Sequence, residues 1–162
     1  MAIDTTKSLA HDEGFPRVPN IVYRMYPLLD GFTLETVGLY GYLKSWRQNK
    51  SGHRMYGKAW LNQKEISAQT GMSPYRIRKH VDILQEHGLL KVTKSSRTAN
   101  KLIYEPLEPL TESEFRLLHK AEIERFAREL DRLESELEAD RARLTEKQEE
   151  FERKQIAGTD VF

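Results

Sequence analysis

The apolar positions change period along the chain, and each change marks an element. In "TLETVGLYGYLKSW", Leu34, Val37, Leu39, Tyr40, Leu43 and Trp46 recur at helical spacing. This predicts a helix that starts at Thr33 and ends at "NKSG". Thr33 is a capping residue type, but three places on stands Thr36, so no acidic partner completes a capping box; Glu35 suits the first turn. "HRMYGKAWLN" then reads as extended. Asn62 stands three before Glu65, an Asn version of the capping box, and opens a helix with Ile66 and Ala68 as its buried positions. Gly71 stops that helix in a left-handed cap. Ser73 caps the next one, Pro74 takes its first position, and Ile77, Val81 and Leu84 form its buried stripe. His87-Gly88 ends it. "LLKVTKS" and "KLIYEPL" are β-type runs joined by "SRTAN", the pattern of a hairpin.

The flanks read differently. Residues 1–14 are polar and patternless, expected as a disordered arm. "FPRVPNIVYRMYPLL" holds three prolines and is expected to be extended, packing through Ile21, Val22, Tyr23 and Leu28/Leu29. After "PLEPLTESEF", residues 112–156 contain no Gly or Pro and consist mainly of strong helix formers. Ile123, Leu130, Leu137, Leu144 and Phe151 recur every seven residues, and Phe126 and Leu133 fill the second heptad position. The next two second positions are Asp140 and Lys147, so the seam is strongest over Ile123–Leu137. The expected organisation is an arm at 1–14, a globular domain at 15–110, a coiled-coil helix at 111–157 and a frayed tail at 158–162, where Val161 and Phe162 are available to dock.

Charge sharpens this division. Lys plus Arg total 26 and Asp plus Glu total 25, a net charge of +1, which as a sum argues against a basic nucleic-acid binder. Divided at Leu110, the chain carries +6 over residues 1–110 and −5 over residues 111–162. Residues 44–101 alone hold 13 basic against 3 acidic residues, the footprint of a phosphate-binding surface. The complete lack of cysteine excludes disulfides, Cys-ligated zinc, iron–sulfur clusters and thiol catalysis. No apolar run of about 18 residues exists, which predicts no membrane span. Asp4, Asp12 and Glu13 stand where a signal peptide would be apolar. A cytoplasmic protein is the expectation.

The order helix, extended stretch, helix, turn, helix, hairpin is that of a winged helix-turn-helix domain. The expected fold is therefore mainly α with a small β-hairpin wing, followed by a long C-terminal coiled-coil helix. The second helix of such a unit lies in a major groove, apolar on one side and polar or basic on the other. Here its polar side offers Ser73, Tyr75, Arg76, Arg78 and Lys79, with Asp82 beyond. Arg pairs bidentately with guanine O6 and N7, and Ser73 at the helix N-terminus suits a phosphate. Gln63 and Lys64 open the supporting helix. The wing adds Lys94, Ser95, Ser96, Arg97, Thr98, Asn100 and Lys101, polar or basic residues suited to the backbone or a minor groove.

"GMSPYRIRKHVDILQEHGLLKV" resembles the recognition helix and first wing strand of bacterial winged-helix proteins. The wider span, with "LYGYLKSW" as a long Leu- and Tyr-rich helix before the helix-turn-helix, is similar to the N-terminal domains of plasmid RepA-type initiators and DnaD-like primosome proteins. The resemblance covers about residues 15–115 and implies duplex DNA binding. After Phe115 a charged helix stands where those initiators carry a second globular domain.

No catalytic constellation is present: no phosphate-binding glycine loop, no His-Glu-x-x-His and no Gly-x-Ser-x-Gly. His80 and His87 lack carboxylate or Cys support for a metal, and Tyr23, Tyr26, Tyr40 and Tyr42 read as core packing. The expectation is a non-enzymatic protein without cofactor or metal that binds double-stranded DNA. It is expected to homodimerise through Ile123, Phe126, Leu130, Leu133, Leu137, Leu144 and Phe151, or to meet a partner protein there. In a parallel pair Glu136 faces Arg141 while Glu129 faces Glu134, which leaves parallel and antiparallel open. The expected role is replication or transcription control of a bacterial plasmid, phage or related element. A segregation adaptor on repeated DNA sites and a protein–protein module of a replisome are the alternatives.

Overall fold

A computed structural model describes residues 14–97 and 101–159. The residues before Gly14, the wing candidates Thr98 and Asn100, and the residues from Asp160 lie outside the described residues. The described chain is mainly helical, with one three-stranded antiparallel sheet and a long C-terminal helix.

The proline-rich entry departs from expectation. It forms a short helix, α1 (Asn20–Arg24), then a 3-10 turn at Tyr26–Leu28. Proline restricts the residue before it and is itself at home at a helix start. Asn20–Arg24 follow Pro19 and end before the residue preceding Pro27, so nothing bars them from coiling. Val22, Tyr26 and Leu29 are buried, whereas Tyr23 is half exposed.

Helix α2 (Leu34–Ser45) buries Thr36, Val37, Leu39, Tyr40, Leu43 and Lys44. Leu34, expected on this face, lies on the other side of the helix from Thr36, Tyr40 and Leu43 and is exposed. The start is capped after all: the Thr36 hydroxyl accepts the Thr33 backbone N–H at 3.0 Å, the part assigned to Glu or Gln in a capping box.

The expected extended stretch before Asn62 is shorter than the sequence suggests. Only Ala59–Asn62 form a strand, β1. Ahead of it the chain turns: the Gly57 N–H donates to Gln48 O at 2.7 Å, and the Gln48 N–H donates to Lys58 O at 2.9 Å. Gly57 sits at φ +75°, which breaks extension.

Helices α3 (Gln63–Thr70) and α4 (Pro74–Glu86) follow directly. Asn62 Oδ1 accepts from the Lys64 N–H at 2.8 Å, and Glu65 Oε2 accepts from the Asn62 N–H at 3.0 Å. Gly71 closes α3 at φ +74°. The Ser67 hydroxyl spans the turn to Met72 O at 2.7 Å. Ser73 Oγ caps α4 at the Arg76 N–H, 3.3 Å away. Ile66 is buried in α3, but Ala68, expected beside it, is exposed because two residues along a helix point to nearly opposite sides.

Strands β2 (Leu90–Lys94) and β3 (Lys101–Pro106) form the hairpin, and β3 is central in the order β1-β3-β2. Tyr104 opposes Ala59 on one side and Val92 on the other. Ala59, Leu61, Leu90 and Tyr104 are buried, while Trp60 is exposed.

The compact units part between Glu114 and Phe115, one helical turn after the boundary drawn at Leu110. The helical tail comprises α5 (Glu112–Leu118) and α6 (Lys120–Thr159), rather than one uninterrupted helix. Bonds from the His119 N–H to Phe115 O and from the Ile123 N–H to His119 O carry the helical ladder across the interruption. At about 1.5 Å per residue, the 40 residues of α6 extend about 60 Å.

Candidate nucleic-acid interface

Helix α4 divides cleanly into two sides. Ile77, His80, Val81 and Leu84 are buried. Ser73, Tyr75, Arg76, Arg78, Lys79 and Asp82 are exposed, Tyr75 at 69%. Alternation of cations with the stripe at helical spacing produces this result: 77, 80, 81 and 84 face the core, and 75, 76, 78 and 79 fall between them. Before α4, Lys64 is exposed, and the Gln63 side-chain amide donates to Pro74 O at 3.4 Å. Gln63 thus ties the start of α3 to the start of α4.

In the hairpin, Lys94, Ser96 and Arg97 are exposed. The Arg97 N–H donates to Ser95 Oγ at 3.3 Å. Lys101 is more constrained: its Nζ lies 4.5 Å from the Trp60 ring centroid and 4.0 Å from Glu65. This ammonium already has an aromatic face and a carboxylate for neighbours, and the contact with Glu65 sets the start of β3 beside α3.

The structure corrects the weight given to two cations. Lys44, counted in the basic block, is buried; its ammonium donates to Arg17 O at 2.5 Å and lies 3.7 Å from Glu108. Burial lowers its pKa, an effect opposed by Glu108. It belongs to the core and offers nothing to a phosphate. Arg76 is exposed but engaged: its Nη2 donates to Glu35 Oε1 on α2.

Behind that ion pair lies a polar chain that the sequence did not disclose. Glu35 Oε2 is 3.0 Å from His80 Nε2, and His80 Nδ1 is 2.8 Å from Thr36 Oγ1. His80 and Thr36 are buried. The geometry fits one tautomer: Nε2–H donates to Glu35, and bare Nδ1 accepts from the Thr36 hydroxyl. A signal did exist, since Thr36 falls on the buried side of α2 and His80 on the buried stripe of α4. His87, by contrast, stands against the Phe32 ring with centroids 6.0 Å apart. An open cleft of about 330 Å³ adjoins the pair, lined among others by Glu35, Tyr42, Gly71, Met72 and Arg76.

In the other unit, the seam residues Phe126, Leu130, Leu133, Leu137, Leu144 and Phe151 are all exposed on α6, and Ile123 is half-buried. Charged pairs run along the same helix: Arg132 with Glu129 at 2.5 Å and with Glu136, Arg143 with Asp140 at 3.6 Å, and Arg153 with Glu149 at 3.8 Å. Such exposed pairs are screened by solvent and stabilise a helix only weakly. No helix among the described residues is long and apolar enough to cross a membrane.

Comparison with known protein families, with curated proteins and with solved structures returned no match.

Proposed function

We propose that this chain is a double-stranded DNA-binding protein of the winged helix-turn-helix type. It inserts α4 into a major groove, sets the β2–β3 hairpin against the backbone or a minor groove, and pairs with a second copy through α6. Its role is replication or transcription control of a bacterial plasmid, phage or related element, and it works by binding rather than catalysis. The observation that carries this reading is the division of α4: an apolar side held in the core and an exposed side presenting Tyr75, Arg76, Arg78 and Lys79, directly after the Gly71 turn. Dimerisation brings two recognition helices to two half-sites, so that their binding reinforces.

The test is binding of the full chain to labelled duplexes across a salt series. Affinity falls steeply with salt, with a logarithmic slope of about −0.9 per phosphate contacted. Absence of salt-dependent duplex binding would falsify the reading. The exposed seam of α6 favours one second reading, a protein–protein module of a replisome, in which a partner helix covers Leu130 and Leu133. That reading predicts self-association to be absent and DNA binding to be weak and indifferent to substitutions in α4.

A further inference from the structure

Four hydrogen bonds link the first turn of α2 to the exposed side of α4, and they converge on the Glu35 carboxylate from both sides. The Thr33 N–H donates to Thr36 Oγ1 at 3.0 Å. The Thr36 hydroxyl and His80 Nδ1 share a hydrogen bond of 2.8 Å. His80 Nε2 lies 3.0 Å from Glu35 Oε2 and donates to it. The remaining oxygen, Glu35 Oε1, accepts from Arg76 Nη2. Every group in this chain has the donor or acceptor its neighbour needs. The inner half is rigid because it is buried: His80 is 3% exposed and Thr36 fully buried. The outer half opens to solvent, with the Glu35 side chain 32% and the Arg76 side chain 53% exposed.

We propose that Glu35 is a positioning residue that holds Arg76 for recognition of a guanine edge, and that the buried His80–Thr36 pair holds Glu35. This rests on the DNA-binding reading above and deepens it. A surface arginine samples many rotamers and pays for each one lost on binding. Here one edge of the guanidinium is fixed by a carboxylate that is itself fixed, which leaves other N–H donors of the planar fork directed away from Glu35. Guanine offers two acceptors, O6 and N7, to such a fork.

The same carboxylate offsets the charge of Arg76. A compensated arginine gains little from a phosphate, which any free cation attracts, and Glu35 itself repels phosphate. Glu35 therefore biases Arg76 away from the backbone and toward a base. The division of labour follows: Lys79, Lys94 and Arg97 supply affinity common to all sequences, and Arg76 supplies discrimination at one position.

A site selected by the full-length wild-type protein from a randomised duplex library provides the probe. Glu35→Gln keeps the shape and one acceptor oxygen but removes the charge. The expected result is at least a tenfold loss in the ratio of selected-site to random-duplex affinity, caused in part by tighter binding to random duplex. The salt slope on random duplex steepens by about 0.9, one added phosphate contact. In an Arg76→Ala background, Glu35→Gln leaves the preference for guanine unchanged, because Glu35 acts through Arg76. A purely structural tie between α2 and α4 predicts lower stability in both backgrounds with the discrimination ratio intact, and that result overturns the proposal. An equal loss of discrimination in both backgrounds overturns it too. In either case duplex binding by the wild type stands. If the wild-type protein binds duplex in a salt-dependent way but selects no site, this inference fails and the DNA reading stands; if it binds no duplex, both fail. Arg76 is exposed, so the Arg76→Ala background retains the fold, and urea titrations of each variant verify it.

Discussion

The Tyr40 hydroxyl donates a 2.7 Å hydrogen bond to the backbone carbonyl of Leu107, 67 residues further along the chain. Tyr40 is fully buried on α2, and Leu107 directly follows β3. The Leu107 N–H in turn donates to Leu89 O at 2.9 Å. One side chain thus ties α2 to the exit of the hairpin. Tyr40→Phe keeps the ring and leaves the Leu107 carbonyl without this donor. The expected cost is about 1–2 kcal/mol, read as a lower urea midpoint with an unchanged slope.

Stability is expected to fall in alkali. Burial raises the pKa of Tyr26, Tyr40 and Tyr104 above the ordinary 10.0, with Tyr104 pushed up to about 12. A raised phenol pKa means that the unfolded chain releases its proton first as pH rises. The contribution is therefore fully present below pH 10 and declines above it, for Tyr104 until about pH 12. Lys44 works in the opposite sense: its lowered pKa makes the buried ammonium a cost that shrinks as pH approaches the ordinary 10.5. Three phenols outweigh one amine above pH 10. Urea midpoints are expected to hold or rise slightly up to about pH 10, as Lys44 discharges, and to drop above it; Tyr104→Phe lessens the drop.

Much of the scaffold was legible because local signals agreed with tertiary demands. The Asn62–Glu65 box, Gly71, Ser73-Pro74 and the Ile77, Val81, Leu84 stripe are all short-range features, and each stands where the pattern put it. Strands β2 and β3 likewise match their two apolar runs. The misreadings came where one residue type serves two purposes. Proline suggested extension over 15–29, yet it also starts helices, and α1 formed. Thr36 lacks the carboxylate of a capping box, yet its hydroxyl accepts the Thr33 N–H as a carboxylate does. Lys44 counted as surface charge although it sits one position after Leu43 on the buried side of α2. The Glu35–His80–Thr36 chain joins residues 44 and 45 apart in sequence, a juxtaposition that no local spacing encodes.

The cations are expected to separate into three behaviours under the DNA-binding reading. Lys94→Ala and Arg97→Ala remove exposed charges from the hairpin, weaken binding to every duplex and reduce the salt slope by about 0.9 each. Arg78→Ala is expected to cost about 1–3 kcal/mol on the preferred site and less on random duplex. Lys44→Met leaves the salt slope unchanged, because that ammonium is buried against Arg17 O and Glu108. Anisotropy titrations at three salt concentrations distinguish the three classes. A slope change for Lys44→Met equal to that for Lys94→Ala would contradict the burial-based assignment.

The seam of α6 yields the last expectation. Leu130 and Leu133 are each about two-fifths exposed in the single chain, at the centre of the uninterrupted heptads. A charged helix with few stabilising contacts of its own is marginal in water, so covering this stripe supplies what the ion pairs do not. Asp140 and Lys147 interrupt the heptads further on, which concentrates association in the N-terminal half of α6. Leu130→Glu with Leu133→Glu removes four leucines from a homodimer. At about 1.5 kcal/mol for each leucine at the low end, dimer affinity falls by about 10⁴-fold. Sedimentation velocity at micromolar concentration is expected to give a dimer for the wild type and a monomer for the double variant, with lower helical circular dichroism in the variant. Leu144→Glu, placed beyond Asp140, is expected to weaken the dimer far less. An unchanged sedimentation coefficient across all three chains would remove α6 as a self-association element.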